Sequence, residues 1–482
     1  MTRARTVVFW VLAAALVVGH VIVAWHSLFV WRLWEDEAFN LTVPRNLLDG
    51  LGYASDGALS GSTITPFDPR ISTGPVVLLP VAAVLATGAD LVIGARLIPL
   101  AYWALLLVGL AILGRRIGGR WAALAAVTVP LAFTTSAGVS PIQGPADLLG
   151  EIPAAALLVW ALIVLPRRAW LAGLLVGLAV QAKLIALLAL PGFAIALWVL
   201  AEGRGWARVR DALRRACLPL VGVGIPTLLF ELSALLSLGG GDYVQHLRDL
   251  VRFVRSGGQG ASTTVGEKLA TLADSWSVPP LVALVAALLT VALVTAGLLA
   301  VRRDPQRSDH RATIAVLTVA GVGTVTFVAW WATASQLPLW VRHPAVGVFA
   351  FAPVLAAGAI WAVRRLPAAR VSGRVATAAA MIVAIIIGTG AVVHTASSYA
   401  PRGQTLDRQR AAVAPLTEWV DATGTTWLAA EPWGAAVSAI VLTGAHVGLF
   451  DAPAMTGTPR LTGQDCATET LAEGGYRICA AP

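Results

Sequence analysis

The chain has 482 residues, 57% hydrophobic and only 13% charged, with a formal net charge of +9 and a mean hydropathy of +0.76. Soluble domains carry roughly a quarter charged residues, so a soluble enzyme, a disordered chain, a fibrous repeat and a disulfide-dense secreted module are all excluded. The apolar residues come in long blocks rather than alternating as in an outer-membrane barrel, which leaves an all-α polytopic membrane protein whose basic excess orients loops rather than binding nucleic acid.

Arg3 and Arg5 precede an apolar run over 7–28, too long for a signal-peptide core and read as a retained first helix. Arginine clusters then recur at Arg115, Arg116 and Arg120; Arg167 and Arg168; Arg204, Arg208, Arg210, Arg214 and Arg215; Arg302, Arg303, Arg307 and Arg311; and Arg364, Arg365, Arg370 and Arg374. If every cluster faces the cytoplasm, each interval between clusters holds an even number of crossings. Three apolar runs, 7–28, 75–88 and 91–113, precede Arg115. The short run 75–88 is therefore read as a re-entrant or interfacial helix. Between Arg168 and Arg204 the same parity calls for two short helices, 169–182 and 184–201, turning at Lys183.

The remaining spans fall near 121–138, 149–165, 216–237, 279–301, 313–334, 344–363 and 375–396. That predicts about eleven spanning helices with the N-terminus inside and the C-terminus outside. Residues 1–396 then form a transmembrane domain, with 29–90 as a first outer loop carrying interfacial helices. Residues 397–482 form an extracytoplasmic C-terminal segment of small α/β or irregular structure. A further outer loop is expected over 238–278, with glycines at both ends: Gly239 to Gly241, then Gly257, Gly258 and Gly260. Only Lys183 and Lys268 among the 35 basic residues are lysines. That bias looks like a GC-rich bacterial genome, actinobacterial in kind, and so points to a bacterial inner membrane.

The candidate chemistry lies on the outer side. Glu35, Asp36 and Glu37 stand together just after the first helix, where adjacent carboxylates raise one another's pKa and can supply a general base. A solvated loop start is the plain alternative. Asp147 and Glu151 are i,i+4 neighbours if a helix begins before Asp147; capping and function explain them equally well. Lys183 sits in an apolar run and either snorkels or meets an anion. Arg96 and Arg342, at helix starts, can anchor at the interface or grip a phosphate bidentately. The seven histidines show no zinc-like spacing, and the chain has no Walker loop, dinucleotide fingerprint or nucleophile elbow. No metal and no cofactor is expected. The Trp residues near span ends read as interface belts. Cys466 and Cys479 could close a short loop in an oxidising compartment.

Several short motifs appear in an order that resembles the GT-C superfamily of polyprenyl-phosphate-sugar-dependent glycosyltransferases, in particular the branch with protein O-mannosyltransferases and the lipid A aminoarabinose transferase. Asp36-Glu37 in the first outer loop is followed by Leu47-Leu48-Asp49-Gly50-Leu51-Gly52-Tyr53, then Ser72-Thr73-Gly74-Pro75 before a short apolar helix. Gly94-Ala95-Arg96-Leu97, Leu149-Gly150-Glu151-Ile152-Pro153, Gly177-Leu178-Ala179 with Lys183, and Arg342-His343-Pro344 complete the series. The likeness covers about residues 30–200 well and the rest weakly.

It implies an inverting, metal-independent transfer of a sugar from a polyprenyl-phosphate donor to an extracytoplasmic hydroxyl on a protein, lipid or cell-wall glycan. In that reading Asp36 is the base, and Glu37 and Glu151 orient hydroxyls. Lys183, Arg96 and Arg342 hold the phosphate, and the helix over 75–88 lines the lipid groove. Glu35, Asp147 and Tyr53 are secondary candidates. The rival readings are a transporter or flippase of lipid-linked sugar, a scaffold without chemistry, and a polymerase or ligase using lipid diphosphate donors.

Overall fold

The computed structural model describes residues 3–57, 63–134, 142–255, 262–302, 310–366, 371–400, 403–431, 434–466, 468–473 and 475–480. Arg303, Arg307, Arg370, Gly257, Gly258 and Gly260 lie outside the described residues.

The chain is a helical membrane protein. It opens with α1 (Arg3–Trp25), which continues through a wide π-helical turn, His26–Val30. Two short helices follow on one end of the bundle, α2 (Glu35–Leu48) and α3 (Pro75–Leu85), separated by a two-stranded hairpin, β1 (Ala54–Asp56) and β2 (Ile64–Pro66). The chain then runs through α4 (Leu91–Gly118), α5 (Arg120–Ala132), α6 (Glu151–Val164), α7 (Ala169–Ala182) and α8 (Leu190–Leu200). After these come α9 (Trp206–Arg255), α10 (Val265–Asp274), α11 (Pro280–Arg302), α12 (Arg311–Thr333), α13 (Arg342–Val363) and α14 (Val371–Ser397). Among the described residues, seven helices are long and apolar enough to cross a membrane, and shorter apolar helices occupy α5 to α8. α3, at 11 residues, is one of the short apolar helices as well.

Three predicted boundaries are corrected. Most described residues of the expected glycine-rich outer loop over 238–278 are helical: inside α9 only Gly239 (φ 77°, ψ 165°) leaves the helical region, and α9 resumes after this kink to Arg255. A left-handed φ suits glycine, which has no Cβ to clash. α10 then occupies part of the same stretch, opened by a capping box between Thr264 and Glu267. The helix predicted over 121–138 ends at Ala132, where Phe133 turns extended. Asp147 and Glu151 do not share a helix, because α6 begins at Glu151.

α13 is the central helix. It packs on α4, α5, α6, α11 and α12, and 78% of its most apolar window is buried. Close approach comes from small residues, which lack the side chains that would hold backbones apart. A Cβ on Gly173 of α7 would lie 2.1 Å from the Pro219 carbonyl oxygen of α9, and one on Gly177 would lie 2.5 Å from that of Val223. This Gly-x-x-x-Gly seam seats α9 on α7. Side chains on α1, α9 and α14 such as Val17, Leu228 and Ile385 remain exposed, as a lipid-facing surface requires.

The C-terminal part comprises α15 (Leu406–Thr423), α16 (Ala436–Thr443) and a five-stranded sheet in the order β4 (His446–Leu449), β3 (Trp427–Ala430), β5 (Arg460–Thr462), β7 (Tyr476–Cys479), β6 (Glu469–Glu473). β3 pairs parallel with β4 and β5, and β7 pairs antiparallel with β5 and β6. Cys466 and Cys479 form a disulfide. This part docks on the segment between α1 and α4. Gln409 bonds the Leu33 N–H and carbonyl at 2.8 Å each, and the Val447 N–H donates to Asp56 at 3.0 Å. Arg45 donates to the Gly444 carbonyl at the end of α16.

Candidate active site

α2 starts directly after extended Trp34 and carries Glu35, Asp36 and Glu37 in its first turn, where the helix dipole favours carboxylates. Successive helical residues point about 100° apart, so three adjacent acids cannot share one target. Each meets its own arginine: Glu35 meets Arg32 at 3.0 Å, Asp36 meets Arg342, and Glu37 meets Arg96.

The Glu37–Arg96 pair is wholly interior. Arg96 is 0% exposed and Glu37 1%. Arg96 Nε and Nη2 each donate to Glu37 at 2.7 Å, and the remaining N–H groups go to the carbonyls of Ser27, Trp31 and Arg32 at 2.8–3.0 Å. All five guanidinium N–H groups are engaged. The expected phosphate role of Arg96 and the expected hydroxyl-orienting role of Glu37 both need an open face, and neither side chain has one. Arg96 instead ties the end of α1, where helical carbonyls lack partners, to the start of α2.

Asp36 faces differently. Its partner Arg342, in the first turn of α13, lies 4.7 Å from the Trp340 ring and 5.8 Å from the Trp34 ring. His343 stacks on Trp340 at 5.7 Å, with its Nε2 buried and without a hydrogen-bond partner. Arg342, Lys183 and Lys268 all lie within electrostatic reach of His343, so these cations share one neighbourhood. Lys268 donates to the Trp331 carbonyl at 2.7 Å and to that of Ala334 at 2.5 Å, which caps the end of α12.

Lys183 leaves α7 in an extended conformation and pairs with Glu151 at 3.0 Å. Glu151 is 2% exposed, and its Oε2 has no hydrogen-bond partner. Two glycines create this meeting. A Cβ on Gly150 would lie 2.1 Å from the Ala182 carbonyl oxygen, and one on Gly74 would lie 1.8 Å from that of Gln181. Only glycine lets both loops close on the end of α7. The Gly74 N–H donates to the Ala182 carbonyl at 3.1 Å. Asn40 of α2 donates to Thr73 Oγ1 at 3.0 Å and to the Leu148 carbonyl at 2.8 Å, which joins the acidic helix to both loops. Asp36, Glu151, Lys183 and Arg342 therefore occupy the same end of the bundle.

Asp147 stands behind them in a turn, 2% exposed. Its Oδ2 accepts from the Gln143 N–H at 2.5 Å, and its Oδ1 has no partner. Burial pushes this carboxyl up to about 8, with the Glu37 charge adding and Arg96 opposing. Between 3.8 and about 8 the native state keeps a proton that the unfolded chain has released, so this group's contribution to stability falls as pH rises through that window. Asp147→Asn is expected to flatten the decline of melting temperature between about pH 5 and about pH 8. An unchanged slope would show Asp147 ionised in the native state.

Tyr53 is not in this group. It packs on Phe67 and Phe230, and its hydroxyl is buried without a partner. Burial pushes that hydroxyl well above its ordinary value, and the Asp68 charge adds to this.

Two features escaped the motifs. One is the aromatic wall of Trp34 and Trp340, tryptophans that read in the sequence as interface belts; His343 of the Arg342-His343-Pro344 motif stacks on it. The other is a network joining the segment between β2 and α3 to α9. Asp68, fully buried, accepts from Arg70 Nε at 2.7 Å and lies 3.2 Å from His246; Arg70 pairs with Glu231 at 3.0 Å, which accepts from the Tyr243 hydroxyl at 2.6 Å. Burial pushes Asp68 up, but His246 and Arg70 together outweigh it and hold the carboxyl at about 2. Its members lie far apart in the sequence, and no local signal could have joined them. Among the described residues no three His, Cys, Asp or Glu side chains converge to hold a metal.

No family model and no curated protein sequence matches the chain. Solved structures do. ArnT from Cupriavidus metallidurans in the apo state superposes with a TM-score of 0.61 at 13% identity, over 99% of this chain and 98% of that one. The same protein bound to undecaprenyl phosphate gives 0.59 at 13% identity, over 100% and 98%. The arabinofuranosyltransferase AftD from Mycobacteria gives 0.50 at 19% identity, over 93% of this chain and 32% of that much longer one. At these identities the likeness is one of fold: this chain shares the fold of ArnT over nearly its whole length.

Proposed function

We propose that this GT-C-fold chain is a membrane glycosyltransferase that moves a sugar from a polyprenyl-phosphate donor to an acceptor hydroxyl, with inversion and in one step, at the end of the bundle holding Asp36. The observation that carries this reading is the separation of roles among the adjacent acids. Glu37 is locked in the interior with Arg96, whereas Asp36 meets Arg342 beside Trp34 and Trp340, on the same end as Lys183 and Glu151.

The chemistry follows from the charges. A polyprenyl phosphate leaves as a stable anion and needs cations near the departing oxygen, not a general acid. Lys183 and Arg342 supply them. When the phosphate draws on Arg342, the Asp36 carboxylate is released to meet the acceptor hydroxyl. Asp36 then takes the acceptor proton as the acceptor oxygen attacks the anomeric carbon. The carbon–oxygen bond to phosphate breaks, and its electron pair leaves on the polyprenyl phosphate. Glu151 pairs with Lys183 and holds that cation at the site. α3 borders the lipid groove. The acceptor is an extracytoplasmic protein, lipid or glycan hydroxyl.

The test is purified protein with a panel of polyprenyl-monophosphate and polyprenyl-diphosphate sugars, reading sugar transfer and the lipid product. Transfer from a monophosphate donor with inverted anomeric configuration supports the reading. Transfer only from diphosphates would make it a polymerase or ligase, and movement of intact donor across a vesicle without transfer would make it a flippase.

Lys183→Gln is expected to raise the donor KM by about tenfold to a hundredfold, the worth of one charge-assisted hydrogen bond at about 1.5–3 kcal/mol. Glu151→Gln in the same chain removes the unpaired buried carboxylate that the single change leaves, so the donor effect can be read apart from stability. An unchanged KM in the double variant removes Lys183 from the phosphate.

A further inference from the structure

A second lipid-sized feature lies away from the acidic end. α1, α5, α13 and α14 enclose an apolar cavity of about 1010 Å³, lined among others by Leu12, Gly19, Trp121, Leu124, Ile360 and Gly388. That is as large as the roomiest small-molecule sites, which run to about 1,000 Å³. None of these four helices contains an Asp or Glu.

Two arginines, Arg120 and Arg364, stand next to cavity-lining residues at the end remote from Asp36. The Arg120 guanidinium lies 4.7 Å from the Phe9 ring and 5.7 Å from the Trp121 ring, and Trp121 lines the cavity. Its one protein acceptor is the Arg5 carbonyl at 3.5 Å, and its Nε is buried without a partner. Arg364 follows Ile360 by one helical turn on the same face of α13. Its guanidinium lies over Gly119, where an added Cβ would come within 2.9 Å of Nη1. Among the described residues neither Arg120 nor Arg364 has a carboxylate partner. The protein chain from 91 to 146 offers none, since it contains no acid at all.

We propose that this cavity is a binding site for an anionic phospholipid, with the phosphate between Arg120 and Arg364 and one acyl chain running along α1 and α14 toward Gly388. A phosphodiester supplies the anion that neither guanidinium group finds among the described residues. The acyl chain fills a hollow that an apolar lining leaves without water. Zwitterionic lipids carry a cation of their own beside the phosphate and fit a basic ring poorly. The site is distinct from the donor pocket, because its cations are at the opposite helix ends: α13 presents Arg342 at its start and Arg364 after its end.

The experiment is native mass spectrometry and thermal melting of the full chain in detergent with phosphatidylglycerol, phosphatidylcholine or undecaprenyl phosphate added. One phosphatidylglycerol per chain should survive delipidation and raise the melting temperature more than phosphatidylcholine does. Arg120→Gln with Arg364→Gln should weaken its retention on the order of thirtyfold, as expected for two lipid-facing cations. Gly388→Phe, placed where a new side chain meets nothing within 4 Å, should reduce retention by filling the hollow without touching a charge. Equal retention of the two phospholipids, wild-type retention in the double arginine variant, or displacement of phosphatidylglycerol by equimolar undecaprenyl phosphate would each overturn the assignment.

Discussion

Asp36→Asn is expected to lower sugar transfer by about 10²–10⁴-fold, the usual worth of a positioned general base, with little change in melting temperature. Asparagine keeps the shape of aspartate and one oxygen that can still accept from Arg342, so the contact at the head of α13 survives in weakened form. What disappears is the ability to take a proton. Asp36→Glu displaces the carboxylate by one methylene and should fall between the two, because base catalysis depends on reach as well as basicity. Glu35→Gln is the control. Glu35 is engaged with Arg32, whose side chain is 28% exposed, and the change should leave turnover within a few-fold of wild type. Steady-state rates on the preferred donor, measured beside thermal melts, separate these outcomes. Near-normal turnover in Asp36→Asn removes Asp36 as the base. A collapse in Glu35→Gln instead would move that role one residue back.

Arg96→Met should cost about 3–5 kcal/mol of stability, the penalty of stranding a buried charge. Glu37 would be left without its cationic partner in the interior, and the carbonyls of Ser27, Trp31 and Arg32 would each lose a donor. Lysine should not rescue it. Its three donors on one point cannot replace a planar fork that serves Glu37 and three carbonyls in different directions. Glu37→Leu combined with Arg96→Met should be less damaging than the sum of the two single changes, because the double variant leaves no unpaired charge. The coupling is read from a double-mutant cycle in chemical or thermal unfolding. A normal melting temperature in Arg96→Met together with a raised donor KM would restore Arg96 to the phosphate and contradict its placement in the interior.

These two residues show how far the motifs reach. Asp36-Glu37 and Arg96 stand out in the sequence equally well, as charged residues beside apolar runs, and composition gives no way to rank them. The helical rotation between positions 36 and 37 decides it, by sending one carboxylate to the Arg342 neighbourhood and the next into the interior. Gly74 and Gly150 are legible as motif glycines. The reason for them, close approach of two loops to the end of α7, is visible only when Gln181 and Ala182 stand against them. The network of Asp68, Arg70, Glu231, Tyr243 and His246 was not legible, because α9 continues past Gly239 as helix where three consecutive glycines suggested a loop.

By itself the sequence determined that this chain lives in a bilayer and which runs are apolar enough to be helices. Those properties are sums over neighbouring residues: hydropathy, length and the placement of arginine. It also brought the acids and the cations of the candidate site into one short set of motifs. The tertiary structure decided which of these charges face each other, which are sealed in the interior, and where the lipid-sized hollow lies. Pairing energies and burial depend on side chains from helices far apart in the chain, and a helix turned by one residue exchanges a buried partner for an open one.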